Sequence, residues 1–310
     1  MADREVLLSL AGPVLARYLT DGDTIEVMAN DNGTCYVTRF GVGTLEVAHP
    51  GWDALDRFLS AIAHEVGQEW RATSPRLSAA LEDLGWRVQA GRPPLAPAPF
   101  MALRTHPAHI FPLSDFEAKG ILTAHERALL EQAMQARQRL VIAGGVGSAK
   151  TSLLNALLDS IKATQDRVIL VEDAPELHCE VRNCTRMRVV KGQWTLRDLV
   201  QDTLRLNPSR LVIGEVRGGE ALDMLKAFQT GHSGLTTLHV DEAAHTMHRL
   251  EQLVQEVSVS PQRDLIGEVI DLVVHMAKHG PSWRCTGLLA LEGYAQGAYR
   301  MTPLTEEDRT

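Results

Sequence analysis

The chain has 310 residues and an apolar fraction of 45%, which is enough for two domains with buried cores and excludes wholesale disorder. Its formal charge of −8 argues against a general electrostatic grip on nucleic acid or anionic lipid, so no direct nucleic-acid binding is expected. Without a signal-peptide pattern or an apolar run near the ~20 residues that span a bilayer, the protein is expected to be cytoplasmic, peripheral at a membrane only through other proteins.

The first hundred residues predict a small α+β domain. Residues 2–19 carry apolar side chains at helical spacing, and Pro13 is expected to kink or split that helix. Its polar face is not rich in Lys or Arg, which favours packing on its own domain over lying on a membrane. The next predicted elements are strands at Thr24–Met28, Thr34–Phe40 and Thr44–Val47 and a helix at Asp53–Val66.

A proline-rich stretch follows at Gly91–Phe100, with four prolines that exclude a helix interior or a central strand. We interpret it as an extended connector between two domains. The predicted division is an N-terminal α+β domain, residues 1–112, that ends in this linker region, and a second domain at residues 113–310.

Beyond the linker, apolar strands alternate with helices, which indicates a parallel sheet covered on both faces. A terminal hairpin is predicted at Trp283–Leu291 and Ala298–Met301. The predicted strands are Arg139–Ala143, Arg167–Val171, Arg210–Gly214 and Leu235–His239, and the predicted helices are Lys150–Ser160, Thr195–Leu206, Gly219–Thr230 and Asp241–Val257.

The turn between the first of these strands and its helix has the pattern of a phosphate-binding loop. Glycines let consecutive backbone N–H groups point into one concavity, and the helix amino terminus adds free donors and a positive dipole end. Lys150 would reach the β- and γ-phosphates of ATP, and the Thr151 hydroxyl would bind Mg²⁺. The nucleotide-binding residues predicted here are Gly144, Gly145, Val146, Gly147, Ser148, Ala149, Lys150, Thr151 and Ser152.

One position departs from the loop pattern, because Ala149 stands where glycine is expected. If its backbone is nearly helical, alanine costs nothing there. If its φ is positive, or its backbone lies close to phosphate, the methyl group crowds the site. The residues alone leave both alternatives open.

Acidic residues end two neighbouring strands of the predicted sheet. Glu172 and Asp173 follow one strand, and Glu215 follows the next, with Arg217 two residues later. Ligands of parallel α/β sheets lie beyond the carboxyl ends of the strands, so these acids are expected to face the phosphate loop. Phosphoryl chemistry needs one carboxylate for the Mg²⁺ shell and one to orient the attacking water.

Four segments together resemble one family. Gly144–Thr151, Val171–Leu177, Leu204–Ala221 and Thr230–Gly234 fall in the order found in the type II/IV secretion ATPases, and the likeness is greatest to the TrbB-type conjugal transfer ATPases of type IV secretion systems. The resemblance covers about Gly12 to Pro303. It implies a RecA-like P-loop ATPase domain after a smaller α+β domain. It also implies a hexamer that docks on proteins of a secretion machine at the inner membrane.

The resemblance also implies residue roles. Glu172 would be the catalytic base, and Glu215 would hold the Mg²⁺ shell, partly through water. Phe100–Arg104 resembles the segment from which an arginine of the N-terminal domain reaches the phosphates, and Gly85–Arg87 resembles a second such place. The remaining catalytic candidates, matched to the family's histidine and arginine positions, are His232, His239, Arg205 and Arg217.

Two alternatives to an ATP-driven conjugation or secretion motor remain. The chain would instead be a nucleotide-binding ring scaffold if Ala149 makes turnover negligible. A pilus-retraction ATPase would keep the chemistry and change the machine.

Overall fold

The structure is a computed structural model that describes residues 3–105, 110–190, 192–280 and 282–304. The chain divides into two compact units. One unit comprises Met1–His109 with Gly280–Ser282, and the other comprises Ile110–His279 with Trp283–Thr310. Among the described residues, none of the helices combines the length and apolar composition that crossing a bilayer requires.

The first unit is an antiparallel sheet with two helices packed against it. The strand order is β3-β2-β1-β6-β5-β4. Buried residues of both helices, such as Leu15 and Phe58, form one core with inward residues of the strands, such as Val27 and Leu103. The elements are α1 (Arg4–Leu19), β1 (Thr24–Ala29), β2 (Cys35–Arg39), β3 (Gly43–Val47), α2 (Trp52–Glu65), β4 (Arg76–Leu81), β5 (Trp86–Gly91) and β6 (Phe100–Thr105).

Helix α1 is broken where the sequence predicts it. Gly12 has φ 73° and ψ 170°, which is not helical, and it directly precedes Pro13. Because proline has no N–H and its ring clashes with the preceding turn, the helix continues only after this kink. The Asp3 side chain caps the first part by accepting from the N–H groups of Glu5 and Val6 at 3.0 and 3.3 Å.

The proline-rich segment is not a connector between domains, and that interpretation is wrong. Strands β5 and β6 pair antiparallel across it, with Gly91 opposite Phe100 and Trp86 opposite Thr105. The segment is therefore the loop of a hairpin inside the first unit. A proline-rich segment can be neither a helix interior nor a central strand, but it can be either a hairpin loop or an interdomain linker. Its composition therefore does not distinguish these two structures.

The second unit is built on a larger sheet of order β14-β13-β12-β7-β11-β10-β8-β9. Strands β12, β7, β11, β10, β8 and β9 pair in parallel, and β13 and β14 form the predicted antiparallel hairpin. Every residue of β7, β8 and β10 is buried. Since successive side chains point to opposite faces, both faces of this sheet are covered, as the sequence predicts.

The described elements of the second unit are as follows. The helices are α3 (Leu113–Ala118), α4 (Ala124–Gln135), α5 (Lys150–Asp159), α6 (Leu196–Thr203), α7 (Glu220–Gln229), α8 (Thr246–Gln255) and α9 (Arg263–Val269). The strands are β7 (Leu140–Gly144), β8 (Val168–Glu172), β9 (Cys184–Arg188), β10 (Arg210–Ile213), β11 (Ser233–His239), β12 (Leu272–His279), β13 (Ser282–Ala295) and β14 (Ala298–Pro303).

The strand register places the carboxyl ends of the central strands at one edge. Gly144, the last residue of β7, lies opposite His239 of β11 on one side and Met276 of β12 on the other. Ile213 of β10 lies opposite Val171 of β8. The residues that follow β7, β8, β10 and β11 therefore share one edge of the sheet.

Candidate nucleotide-binding site

The phosphate loop connects β7 to α5 and has two demanding glycine positions. Gly144 has φ 155°, and a Cβ there would lie 2.2 Å from the Met276 carbonyl oxygen of the neighbouring strand. Gly147 has φ 67°, in the left-handed region that glycine occupies without steric cost. Helix α5 begins directly after the loop, so its free N–H groups face the same space.

Ala149 occupies the left-handed region, with φ 66° and ψ 22°. The second of the two sequence alternatives therefore holds, and the residue is strained. For an L-residue this conformation costs about 1–2 kcal/mol, because Cβ approaches the following carbonyl oxygen.

Lys150 directs its amine into the concavity of the loop. Its Nζ donates to the carbonyl oxygens of Gly144 and Gly145 at 2.8 and 2.7 Å, and the residue is 6% exposed. Burial lowers the pKa of Lys150 to about 8, while Glu215 and Asp241 act in the opposite direction. Lys150 therefore supplies a mostly buried cation beside the loop amides.

His239 links the loop lysine to the acid that follows β10. Its Nδ1 lies 3.2 Å from Lys150 Nζ, and its Nε2 lies 3.0 Å from Glu215 Oε1. An ammonium group only donates, so Nδ1 is the accepting nitrogen and the ring proton is on Nε2. Burial and the Lys150 charge lower the pKa of His239, which keeps this imidazole neutral.

The two carboxylate oxygens of Glu215 have different surroundings. Oε2 accepts from Arg217 Nη2 at 2.9 Å. Oε1 is buried and makes no directed hydrogen bond, although His239 Nε2 is within reach. The other Arg217 nitrogen, Nη1, lies 3.2 Å from Asp173 Oδ2, so Arg217 joins the acids after β8 and β10. The hydrogen bond to Glu215 raises the pKa of Arg217.

Glu172 ends β8 and is fully buried. Its Oε1 accepts from the backbone N–H groups of Glu176 and Leu177 at 2.9 and 2.7 Å, which closes the turn after the strand. Burial raises the pKa of Glu172, against the opposing effect of these two donors. A raised pKa brings a carboxylate closer to the range in which it accepts a proton during catalysis.

Comparisons with known proteins identify the family of this chain. The family of type II/IV secretion system proteins matches residues 74–279. The chain belongs to this family. It is 33% identical to the probable conjugal transfer protein TrbB of Sinorhizobium fredii, over 96% of this chain and 92% of that protein. It is 29% identical to the type IV secretion system protein VirB11 of Brucella suis, over 84% of this chain and 83% of that protein.

A solved structure supports the fold of this type II/IV secretion system protein. The Legionella pneumophila ATPase DotB matches with a TM-score of 0.64 and 19% identity, over 88% of this chain and 78% of that chain. At this identity the likeness concerns the fold alone. The sequence prediction of the family, and of an ATPase-like α/β domain after a smaller α+β domain, is confirmed.

Two predicted site residues of this family member lie at the opposite edge of the sheet. His232 precedes the first residue of β11, whereas His239 ends it, and a strand of that length spans roughly 20 Å. His232 Nδ1 lies 3.0 Å from both Ala227 O and Thr230 Oγ1. Arg205 is 87% exposed and lies 3.9 Å from Asp202 before β10 begins. Within one chain neither residue joins the phosphate-loop cluster, so their catalytic roles stay predictions.

The arginines of the first unit form a lateral pair. Arg104 on β6 lies directly opposite Arg87 on β5 and, on its other side, opposite Glu26 on β1. Arg104 is exposed on this strand face. The two places that the resemblance singles out are thus cross-strand neighbours.

Two contacts of the loop escaped the sequence interpretation. Asp241 Oδ1 lies 3.1 Å from the position of a Cβ on Gly145, and its charge acts on Lys150. Asp241 follows β11 as Glu215 follows β10, so the strand-end signal applied to it as well. The indole N–H of Trp283 donates to Gly147 O at 2.8 Å. No motif in the sequence indicates that second contact.

Proposed function

We propose that this chain is a Mg²⁺-dependent ATP hydrolase that works as a homohexameric motor of a type IV secretion or conjugation machine. The observation that carries the proposal is the contact chain from Lys150 through His239 to Glu215. It brings a phosphate-loop cation close to the acid proposed for the Mg²⁺ shell, two groups that phosphoryl transfer uses together. The printed names of the TrbB and VirB11 relatives support the choice of machine.

The residues present fit a magnesium ion. Glu215 Oε1 is a buried carboxylate oxygen without a directed hydrogen bond, and Thr151 lies in the first turn of α5. Thr151 and Glu215 would hold Mg²⁺, partly through water. The ion would neutralise charge on the β- and γ-phosphate oxygens.

The chain's own residues then divide the remaining work. Lys150 exchanges its loop carbonyl partners for phosphate oxygens, and the loop N–H groups hold the phosphate chain. Glu172 orients the attacking water and accepts its proton, which its raised pKa favours. His239 is neutral and in contact with Lys150, so its contact with the Lys150 amine changes when that amine moves toward the γ-phosphate.

Arg104 remains a proposed contact of the γ-phosphate, acting with Arg87. The two arginines lie directly opposite on paired strands, so their side chains leave the same face of the sheet. The protein is further proposed to be cytoplasmic and to dock on inner-membrane proteins of the machine.

The test is phosphate release from MgATP by the purified chain, with Lys150→Ala as the matched variant and native mass spectrometry for the ring. We expect steady release by the wild type, almost none by Lys150→Ala, and a mass of six chains with nucleotide. Equal release by both proteins would contradict the assignment of the loop.

The strain at Ala149 favours a second candidate, a nucleotide-binding ring scaffold with weak turnover. Analysis of bound nucleotide separates the two. A scaffold retains ATP unhydrolysed over many minutes, whereas a motor holds mostly ADP once its ATP is consumed.

A further inference from the structure

The phosphate loop is tied to a strand far along the chain. Trp283, near the start of β13 and 6% exposed, donates its indole N–H to the carbonyl oxygen of Gly147 at 2.8 Å. The two residues are 136 positions apart in sequence. This hydrogen bond therefore connects the loop to the outer part of the sheet.

The Gly147 carbonyl belongs to the part of the loop with the least favourable backbone conformation. Gly147 and Ala149 both have positive φ, at 67° and 66°, on either side of Ser148. Val146, at the tip, is 78% exposed and adds little packing. Peptides whose N–H groups face a phosphate turn their carbonyls outward, and a protein donor that bonds such a carbonyl limits the rotation of that peptide.

An alanine makes this loop more dependent on an anchor than a glycine would. Ala149 favours leaving the left-handed region, and a flip of the neighbouring peptide is the usual way to leave it. Such a flip would rotate loop N–H groups away from the phosphate. The hydrogen bond to Gly147 O holds the preceding peptide, between Gly147 and Ser148, so a flip of the next peptide has to be taken up by ψ of Ser148 and φ of Ala149 alone.

We propose that Trp283 is a positioning residue that holds the phosphate loop in its nucleotide-binding shape against the strain at Ala149. The inference rests on the proposed function only in that the loop must bind a nucleotide. Trp283 touches no reacting atom; it acts through the loop. A residue that only packs β13 would stabilise the whole unit evenly and would show no coupling to Ala149.

The first test is Trp283→Phe, which keeps an aromatic ring and removes the indole donor. The matched control is Trp70→Phe, which removes an indole hydrogen bond to Asp56 Oδ1, 2.9 Å long, in the other unit. Affinity is measured with the fluorescent nucleotide mant-ADP. Loss of one hydrogen bond predicts about 3- to 10-fold weaker binding for Trp283→Phe and no change for the control.

Hydrogen exchange of the nucleotide-free proteins gives a readout that does not need activity. In Trp283→Phe we expect faster exchange in the peptide that covers residues 144–150, with the β8 and β10 peptides unchanged. Faster exchange spread evenly over the second unit would overturn the proposal. If the variant does not fold, the indole N–H of wild-type Trp283 must exchange more slowly than that of exposed Trp194, and equal rates would overturn it.

The double variant decides the role of strain. With Ala149→Gly the loop keeps its shape more easily, so the loss from Trp283→Phe should shrink to about 2-fold or less. An equal loss in both backgrounds would refute the coupling. If wild type itself fails to bind mant-ADP, the proposed function fails; if wild type binds and Trp283→Phe binds equally well, only this inference fails.

Discussion

Replacing Ala149 by glycine should stabilise this protein. Ala149 has φ 66°, where an L-residue costs about 1–2 kcal/mol and glycine none. Glycine loses more backbone entropy on folding than alanine, which reduces this stability gain by about 0.5–1 kcal/mol. The net expected gain in the free energy of unfolding is about 0.5–1 kcal/mol, or roughly 1–4 °C in Tm for a unit of this size.

The same substitution should tighten nucleotide binding, because the strained shape is the one that binds. The net gain of about 0.5–1 kcal/mol is shared between stability and binding: the part of the strain that the empty loop releases appears as tighter mant-ADP binding, by at most about 2- to 5-fold for Ala149→Gly, and is missing from the gain in Tm. The matched control is Gln296→Gly. Gln296 has φ 55° in the turn between β13 and β14, so it should gain stability without any change in affinity.

Thermal unfolding and equilibrium titration of the three proteins suffice as assays. A lower Tm for Ala149→Gly would refute the assignment of strain to that residue. Equal changes of affinity in Ala149→Gly and Gln296→Gly would show that loop strain is not what limits binding.

The remaining predictions concern the charged groups. Lys150→Ala should reduce phosphate release by on the order of 10²-fold or more, because the phosphates lose their buried cation; near-normal release would remove Lys150 from the site. Glu172→Gln should lower turnover while ATP still binds, whereas Glu215→Gln should lower turnover and also weaken Mg²⁺-dependent ATP binding. Turnover and ATP binding that are identical in both variants and the wild type would contradict these separate roles of the two acids. Arg104→Ala should weaken ATP binding more than ADP binding, with a difference of about 1–3 kcal/mol. Both affinities are measured by titration, with Arg76→Ala on β4 as the control. Unchanged affinities in Arg104→Ala would exclude Arg104 as a γ-phosphate contact.

The sequence predicted the carboxyl edge of the sheet because that edge follows from simple rules. Parallel strands bring their carboxyl ends to one edge, so the acids after β8 and β10 are expected at the edge that carries the phosphate loop. Arg217 and Glu215 are indeed bonded there, and His239 ends β11 beside them. Strand periodicity and the glycines of the loop are the sequence features that predict this edge.

The failures have equally physical causes. The resemblance names His232 and His239 together, and because they bracket β11 they lie at opposite edges of the sheet, which leaves the role of His232 a prediction. The prolines between β5 and β6 fix local backbone angles but not the partner of each strand, which tertiary contacts decide. The positive φ of Ala149 depends on the packing of the loop, so the residue type alone left it undetermined.

Strand β12, which pairs with β7, also limits which side chains the phosphate loop can accept. At Gly144 a side chain would collide with the Met276 backbone oxygen at 2.2 Å and with Ser148 Oγ at 2.5 Å. Two positions later, Val146 is 78% exposed and meets no such limit. In a saturation library scored by folding, residue 144 should accept glycine alone while residue 146 accepts most side chains. Two positions of one short motif thus differ in mutational tolerance because only one of them touches the neighbouring strand.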